Sequence, residues 1–319
     1  MGSLEKLAVI GAGSVGAAVA YAATIDRLAD EIALYDINGE RAAAEALDLS
    51  HGLQFVGGGR VNGSDDIGMC ADADLVVVTA GAAQHAGSSR LELAGANVAM
   101  VSQLLPDLLR VAPDAVYLLV TNPVDVVTYV AQEISGLPPG RVIGSGTVLD
   151  SSRLRHSLAE RLDVAISSIH ALVVGEHGDS EIVLWSSATV GGTPLLDVVG
   201  PDGRRVLAED LDTIRLEVRD AAYRIIAGKG NTNLAIGLAT GRIARAISRD
   251  EHAVLPVSVR TTIDGIDVCL SVPSVVGRAG VLATMPLVID DCERTGLCAS
   301  AAALRSVIDQ VWSTDVPAG

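Results

Sequence analysis

A doubly wound parallel α/β sheet followed by a mixed α+β half is the fold class this sequence predicts, and three observations carry it. Short apolar runs without polar alternation recur through residues 1–145, the pattern of strands buried on both faces. Helix-like stretches separate those runs, as parallel neighbours require. From residue 146 the alternation gives way to longer helices and to strand-like segments around tight turns.

Residues 6–10, KLAVI, predict the first buried strand. GAGSVG follows at 11–16, then an alanine-rich helix to about residue 26, then EIALYD at 31–36, a second strand ending in an acid. Strand, G-x-G-x-x-G, helix, strand and acid in this order form the dinucleotide-binding fingerprint of a Rossmann-type fold. Gly11 permits the tight turn, Gly13 lets backbone approach a pyrophosphate, and Gly16 lets helix and strand pack closely. The helix start, Ser14 and Val15, offers free N–H groups to the phosphates. Asp36 suits the ribose hydroxyls and repels a 2′-phosphate. No arginine follows at 37–39, so the expected cofactor is NAD rather than NADP.

The alternation continues with a helix over 39–52 and a buried strand over 72–81 that meets a turn at Ala80 and Gly81. A helix over 91–111 is expected to break or kink at Pro106. Then come a strand over 114–120, a helix over 124–135 and a short strand over 141–144. Ligands of such sheets bind beyond the carboxyl ends of the strands. Gly81 onward and Thr121-Asn122-Pro123 therefore belong to the functional edge. In the second half, a helix is expected over 149–163, a buried strand running from 171 into His177, and a hairpin within 191–204. Helices over 208–227 and 232–247, strands over 255–273 around an Asp264-Gly265 turn, and a helix over 290–311 complete it. The expected division is a dinucleotide-binding domain over 1–145 and a catalytic domain over 146–319, with no flexible linker and no repeats.

Composition narrows the function classes. With 23 basic against 39 acidic residues and a net charge of −16, no surplus of positive charge is left to neutralise nucleic-acid phosphates. An anionic substrate must then be held by local arginines against an unfavourable overall field. The uncharged run 7–25 has the length of a membrane span, but Gly11, Gly13 and Gly16 interrupt it and its start is strand-like, so no membrane segment is expected. Cys70, Cys269, Cys292 and Cys298 form no C-x-x-C pair and no cluster with histidine. That predicts no metal site and free thiols in a reducing cytoplasm.

Residues 175–179, GEHGD, place His177 just past an apolar run. Histidine gives and takes a proton near neutral pH. A lone histidine beside a turn is more often structural, so the assignment needs partners. Asp150 and Arg153 lie three residues apart in VLDSSR, about one helical turn, so both can face one site. Taken singly they read as an N-cap and a surface ion-pair member.

Over essentially its whole length the chain resembles the lactate/malate dehydrogenase superfamily, and within it the bacterial L-lactate dehydrogenases. The resemblance rests on GAGSVG at 11, TAGAAQ at 79, VTNPVDVVT at 120, GSGTVLDSSRLR at 144, GEHGDSE at 175, GKGNTN at 228 and PSVVGRAGV at 273. It implies NAD-dependent, reversible hydride transfer between NADH and pyruvate giving L-lactate. Residue by residue it makes His177 the acid/base, Asp150 the group that orients it, Arg153 the clamp on the substrate carboxylate, and Arg90 the group that polarises the keto oxygen. Residues 81–95 become a lid over the substrate, in which Gln84 takes the place that decides between a monocarboxylate and a dicarboxylate. Asn122 falls beside the substrate oxygen or the cofactor, Thr232 near the substrate methyl group, and Ile236 near the nicotinamide. Ala80 and Gly81 complete the cofactor contacts. The lid departs from the family's common QKPGETR and reads QHAGSSR, which puts closure and tolerance of bulkier 2-keto acids in question. Malate or a bulkier 2-hydroxycarboxylate is the alternative substrate, and a non-catalytic NAD-binding module is disfavoured because His177, Asp150, Arg153 and Arg90 are all present. Arg155 and His170 match positions that bind fructose 1,6-bisphosphate between subunits in many bacterial relatives; they read equally as a solvated helix residue and a polar strand start. A cytoplasmic homotetramer working in glycolysis and fermentation completes what the resemblance implies.

Overall fold

The structure, a computed structural model, describes residues 4–82 and 90–312. Its first half runs β1 (Leu4–Ile10), α1 (Ser14–Asp26), β2 (Ala29–Tyr35), α2 (Gly39–Val56), β3 (Arg60–Ser64), β4 (Leu75–Val78), α3 (Arg90–Val111), β5 (Val116–Leu119), α4 (Val124–Ser135) and β6 (Val142–Gly144). All six strands are parallel, in the order β6-β5-β4-β1-β2-β3. That is the doubly wound order, with its switch point between β1 and β4.

Residue alternation explains the two-faced core. Leu7, Val9, Leu75, Val77 and Leu118 enter one apolar cluster, with Val19 and Ala23 of α1. Their neighbours Ala8, Ile10, Val76, Val78 and Tyr117 enter another, with Leu105 and Leu108 of α3. Successive strand side chains point to opposite faces, so unbroken apolar runs are what a sheet covered on both sides demands.

The second half comprises α5 (Val148–Leu162), β7 (Ile169–His170), β8 (Val173–Val174), β9 (Ile182–Val183), β10 (Thr189–Val190), β11 (Thr193–Pro194), α6 (Leu211–Lys229), α7 (Leu234–Ser248), β12 (Ala253–Ile263), β13 (Ile266–Gly277), β14 (Gly280–Thr284) and α8 (Asp291–Val311). Leu154, Leu158 and Leu162 of α5 pack with Ile214 and Val218 of α6 in a separate cluster. The α/β class with a mixed second half is as the sequence predicts. One arrangement was not foreseen: β12, β13 and β14 add antiparallel to β6 and extend the same sheet to nine strands. The β12–β13 hairpin turns at Asp264 and Gly265, both at positive φ (50° and 81°), the geometry of a tight hairpin turn.

Three local features stand beside this architecture. β3 (RVNGS), at one sheet edge, is poor in strand formers and is held by pairing with β2, while the short β14 (GVLAT) pairs with β13 at the other edge. α3 continues through Pro106 rather than breaking there. The short hairpin β10–β11 turns on Gly191 and Gly192, at the start of the expected stretch.

Candidate active site

The carboxyl ends of β1, β4 and β5 share one edge of the sheet, and the glycine turn sits there. Gly11 has φ +103°, and a Cβ on it would stand 2.8 Å from the Ala80 nitrogen, so a side chain is excluded twice over. Its amide donates to the Tyr35 carbonyl at 2.7 Å, and Thr79 Oγ1 donates to its carbonyl at 3.1 Å. A Cβ at Gly16 would run into the Gly11 carbonyl, while at Gly13 it would meet only open space. Gly13 caps α1 without a side-chain hydrogen bond. Ser14 and Val15 open the first turn, whose amides have no partner within the helix. Asp36 Oδ2 accepts from the Ala12 amide at 2.7 Å and Oδ1 from the Asn38 amide at 2.9 Å, which fixes the carboxylate beside the turn. A carboxylate has about four acceptor positions, so capacity remains for a ribose diol. An open glycine face beside a fixed carboxylate fits a dinucleotide.

Turns after β4 and β5 are tied to one another. Asn97 on α3 accepts from the Ala82 amide at 2.7 Å and donates to the Asn122 carbonyl at 2.7 Å. Thr121 Oγ1 donates to the Ala80 carbonyl at 2.5 Å. This presents Ala80, Gly81 and Asn122 together at the sheet edge.

α5 delivers the charged groups. Arg153 Nη1 donates to Asp150 Oδ1 at 2.7 Å, and His177 Nδ1 lies 2.6 Å from Asp150 Oδ2. Asp150 is buried, and the imidazole keeps 22% of its side-chain surface exposed. The GEHGD turn is gripped from several sides. The Gly175 amide donates to the Ser271 carbonyl on β13 at 2.9 Å, and the Glu176 amide to Ser300 Oγ on α8 at 2.9 Å. The His177 amide donates to Asp125 Oδ2 on α4 at 2.7 Å. A cavity of about 470 Å³ lies here, lined among others by Asn122, Asp150, Arg153, His177, Glu181, Tyr223 and Leu304.

Burial alone would lower the His177 pKa. The Asp150 carboxylate and its hydrogen bond, with Asp125 and Glu181 adding to them, outweigh burial and raise it to about 9. Burial would likewise raise Asp150, but His177 and Arg153 hold its carboxyl below the usual range. Glu181 is pushed up to about 8 by burial and then by the Asp150 charge, and burial lifts Asp125 to about 6. The arrangement can therefore keep an imidazolium in a partly enclosed cavity at neutral pH, next to an arginine.

His177, Asp150, Arg153 and Asn122 are brought together. Gln84 and the Arg90 side chain lie outside the described residues. Thr232, in the turn between α6 and α7, and Ile236, packed on the main apolar cluster, stand outside the lining of this cavity. Arg155 and His170 line a different cavity of about 410 Å³. Sequence reasoning missed Asn97, Asp125 and Glu181. The signal available for Asp125 was an acid inside the apolar run VDVVTYV, and for Glu181 an acid abutting IVLW.

Among the described residues no group of His, Cys, Asp and Glu could hold a metal ion, and no helix is long and apolar enough to cross a membrane. A dinucleotide cradle and a proton-bearing histidine on one sheet edge define an NAD-dependent oxidoreductase. Comparisons narrow the class. Residues 5–144 match a family described as lactate/malate dehydrogenase, NAD binding domain, and residues 147–314 its alpha/beta C-terminal domain. An L-lactate dehydrogenase of Bifidobacterium animalis subsp. lactis is 48% identical over 308 residues, 96% of each chain. One of Synechococcus sp. is 45% identical over 308 residues, 96% of this chain and 99% of the relative. The solved minor L-lactate dehydrogenase of Enterococcus mundtii superposes with a TM-score of 0.92 at 38% identity, covering 97% of this chain and 98% of that one. The chain belongs to the lactate/malate dehydrogenase family.

Proposed function

We propose that the protein is an L-lactate dehydrogenase interconverting pyruvate and L-lactate, with His177 as acid/base. The observation that carries this is the chain His177–Asp150–Arg153 at the sheet edge that also holds the glycine turn and Asp36. The relatives named L-lactate dehydrogenase support it. Gly11, Gly13, Ser14, Val15, Gly16, Asp36, Ala80, Gly81 and Asn122 hold the cofactor, with Ile236 beside the nicotinamide. The chemistry that bound NADH supplies is a hydride to C2 of the keto acid. His177, charged through Asp150, donates its Nε2 proton to the keto oxygen as that oxygen gains electrons, and the products are L-lactate and NAD⁺. In the reverse direction the neutral ring takes the hydroxyl proton. Asp150 fixes the tautomer by holding Nδ1. Arg153 gives one nitrogen to Asp150 and keeps the rest of its fork for the substrate carboxylate.

Arg90, Gln84 and Thr232 are assigned from the sequence pattern: Arg90 polarises the keto oxygen, Gln84 offers an uncharged amide, and Thr232 neighbours the methyl group. An amide gives a second carboxylate no counter-charge, which favours pyruvate over oxaloacetate. In this reading residues 1–145 carry the hydride donor and 146–319 the proton donor. Initial rates with NADH should give kcat/KM for pyruvate above that for oxaloacetate and 2-ketoisocaproate; oxaloacetate in first place overturns the specificity. His177→Ala should lose about 10²–10⁴ in turnover while NADH still binds. Persistent turnover overturns the acid/base assignment.

The same reading extends to regulation and setting. Arg155 and His170 line one cavity together with Ser152, Ser167 and Arg242, which supports fructose 1,6-bisphosphate as an effector. Titrating it at subsaturating pyruvate should lower the apparent KM; no shift removes the effector. Exposed apolar side chains on three helices, Tyr21 and Ile25, Leu47 and Phe55, Leu234 and Leu238, support a homotetramer. Four free cysteines support a reducing cytoplasm as the setting, with glycolysis and fermentation as the context.

A further inference from the structure

Asp125 is an acid where the fold has no structural need of one. It sits in the first turn of α4 among Val124, Val126 and Val127, all buried, and is itself 1% exposed. One carboxylate oxygen accepts the His177 amide at 2.7 Å, and the other is enclosed facing the buried Ser258 hydroxyl of β12. A neutral acceptor would serve that amide as well and would avoid the cost of burying charge. What only a carboxylate adds is negative potential beside a ring that must become a cation. The start of α4 offsets part of that cost, because the helix dipole favours an anion there.

We propose that Asp125 is a positioning residue of the reaction: it ties the turn bearing His177 to α4, three residues from Asn122, and its charge favours the protonated ring. The proposal rests on His177 being the acid/base. The geometry gives it a particular place. Asp150 holds the ring from α5 and is itself held by Arg153; Glu176, Asp179 and Glu181 belong to the loop of His177, and Asp125 bonds the His177 amide from the dinucleotide-binding half. Ser258 on β12 and the buried Cys269 on β13 face Asp125 from the far side, and Arg215 of α6 acts on Glu181. Asp125 thus sets the proton donor against the strand end that carries Asn122.

The test compares Asp125→Asn, Asp125→Ala and Asp125→Glu with wild type, through pH profiles of kcat/KM for pyruvate and through NADH binding. Asn keeps an acceptor and removes the charge. Its alkaline limb should move to lower pH by about one unit, with the acid plateau largely kept and NADH affinity unchanged. Ala should in addition lower the plateau about tenfold, and Glu should restore the wild-type limb. An Asn limb coinciding with wild type overturns the proposal, and so does failure of both Asn and Glu variants to fold, since either makes Asp125 merely structural. The wild-type limb and its loss in His177→Ala test the acid/base reading separately. A limb present in wild type but unmoved in Asp125→Asn overturns only the role of Asp125.

Discussion

The arginine–carboxylate cluster around Tyr129 and the one around His177 are built on opposite principles. Around Tyr129, the Arg260 and Arg305 guanidinium groups lie 5.1 and 5.0 Å from the ring centre. Arg260 donates to Asp267 at 2.6 Å and to Glu133, Arg305 donates to Asp309 at 2.8 Å, and the Tyr129 hydroxyl donates to Asp267 at 3.3 Å. Those contacts lie at the protein surface, where each charge has an opposite partner. Around His177 the same residue types are enclosed, and the pairing is incomplete: Glu181 Oε1 is buried without a hydrogen bond. A cluster that joins helix to sheet satisfies its own valences. One that must meet a substrate leaves charge and hydrogen-bonding capacity available, at a cost in stability.

The largest expected effect that separates the clusters is in Asp150→Asn. It leaves the shape of the site intact but takes the counter-charge from His177 and frees the tautomer. Pyruvate reduction should fall by about 10²–10⁴ with circular dichroism unchanged, and the alkaline limb should move to lower pH. An intermediate effect is expected at Glu181. Its carboxyl is held at about 8 against an ordinary 4.5, so between those pH values the folded protein keeps a proton that the unfolded chain has released. Stability from this group is present below the lower value and falls as pH rises through the higher. Glu181→Gln should therefore raise Tm relative to wild type by a margin that grows from pH 5 to pH 8. A margin independent of pH would show that Glu181 is not the group responsible. The smallest effect is at the surface cluster. Arg260→Gln should cost about 1 kcal/mol or less, roughly 2 °C in Tm, with kcat/KM for pyruvate unchanged. A change in turnover there would dissolve the distinction between the two clusters.

Local chemistry explains what was legible in the sequence. β4, β5 and the 7–10 run of β1 announce themselves because strands covered on both faces are apolar, and the glycine turn because backbone contacts leave Gly11 and Gly16 no alternative. The partnership of Asp150 and Arg153 was readable from a spacing of one helical turn, and the structure supplies its distances. Long-range geometry stayed hidden. Asp125 reaches His177 across 52 residues of sequence, and Asn97 reaches Asn122 from another helix, contacts that no periodicity encodes. β3 depends on pairing with β2, as in Glu31 opposite Arg60, rather than on its own residues. That β12 would join β6 was equally beyond a reading by local pattern.

That last seam has its own consequence. β12 meets β6 with Ser258 opposite Gly144, and a Cβ on Gly144 would press within 2.9 Å of the Ser258 side chain. Gly146, at φ +52°, has no room either: a Cβ there would stand 2.6 Å from the Ser258 nitrogen. Thr147 then donates from its amide to Ser271 Oγ at 3.0 Å and from its hydroxyl to the Val173 carbonyl at 2.6 Å. The chain thus passes from its first half to its second inside a shared sheet, not along a tether. Separating the halves near residue 145 would leave β6 as a naked edge, open to pairing with any strand that approaches. The glycine turn at the end of β1 and, through the Gly175–Ser271 bridge, the turn bearing His177 are accordingly tied to one continuous β-ladder rather than joined by a hinge.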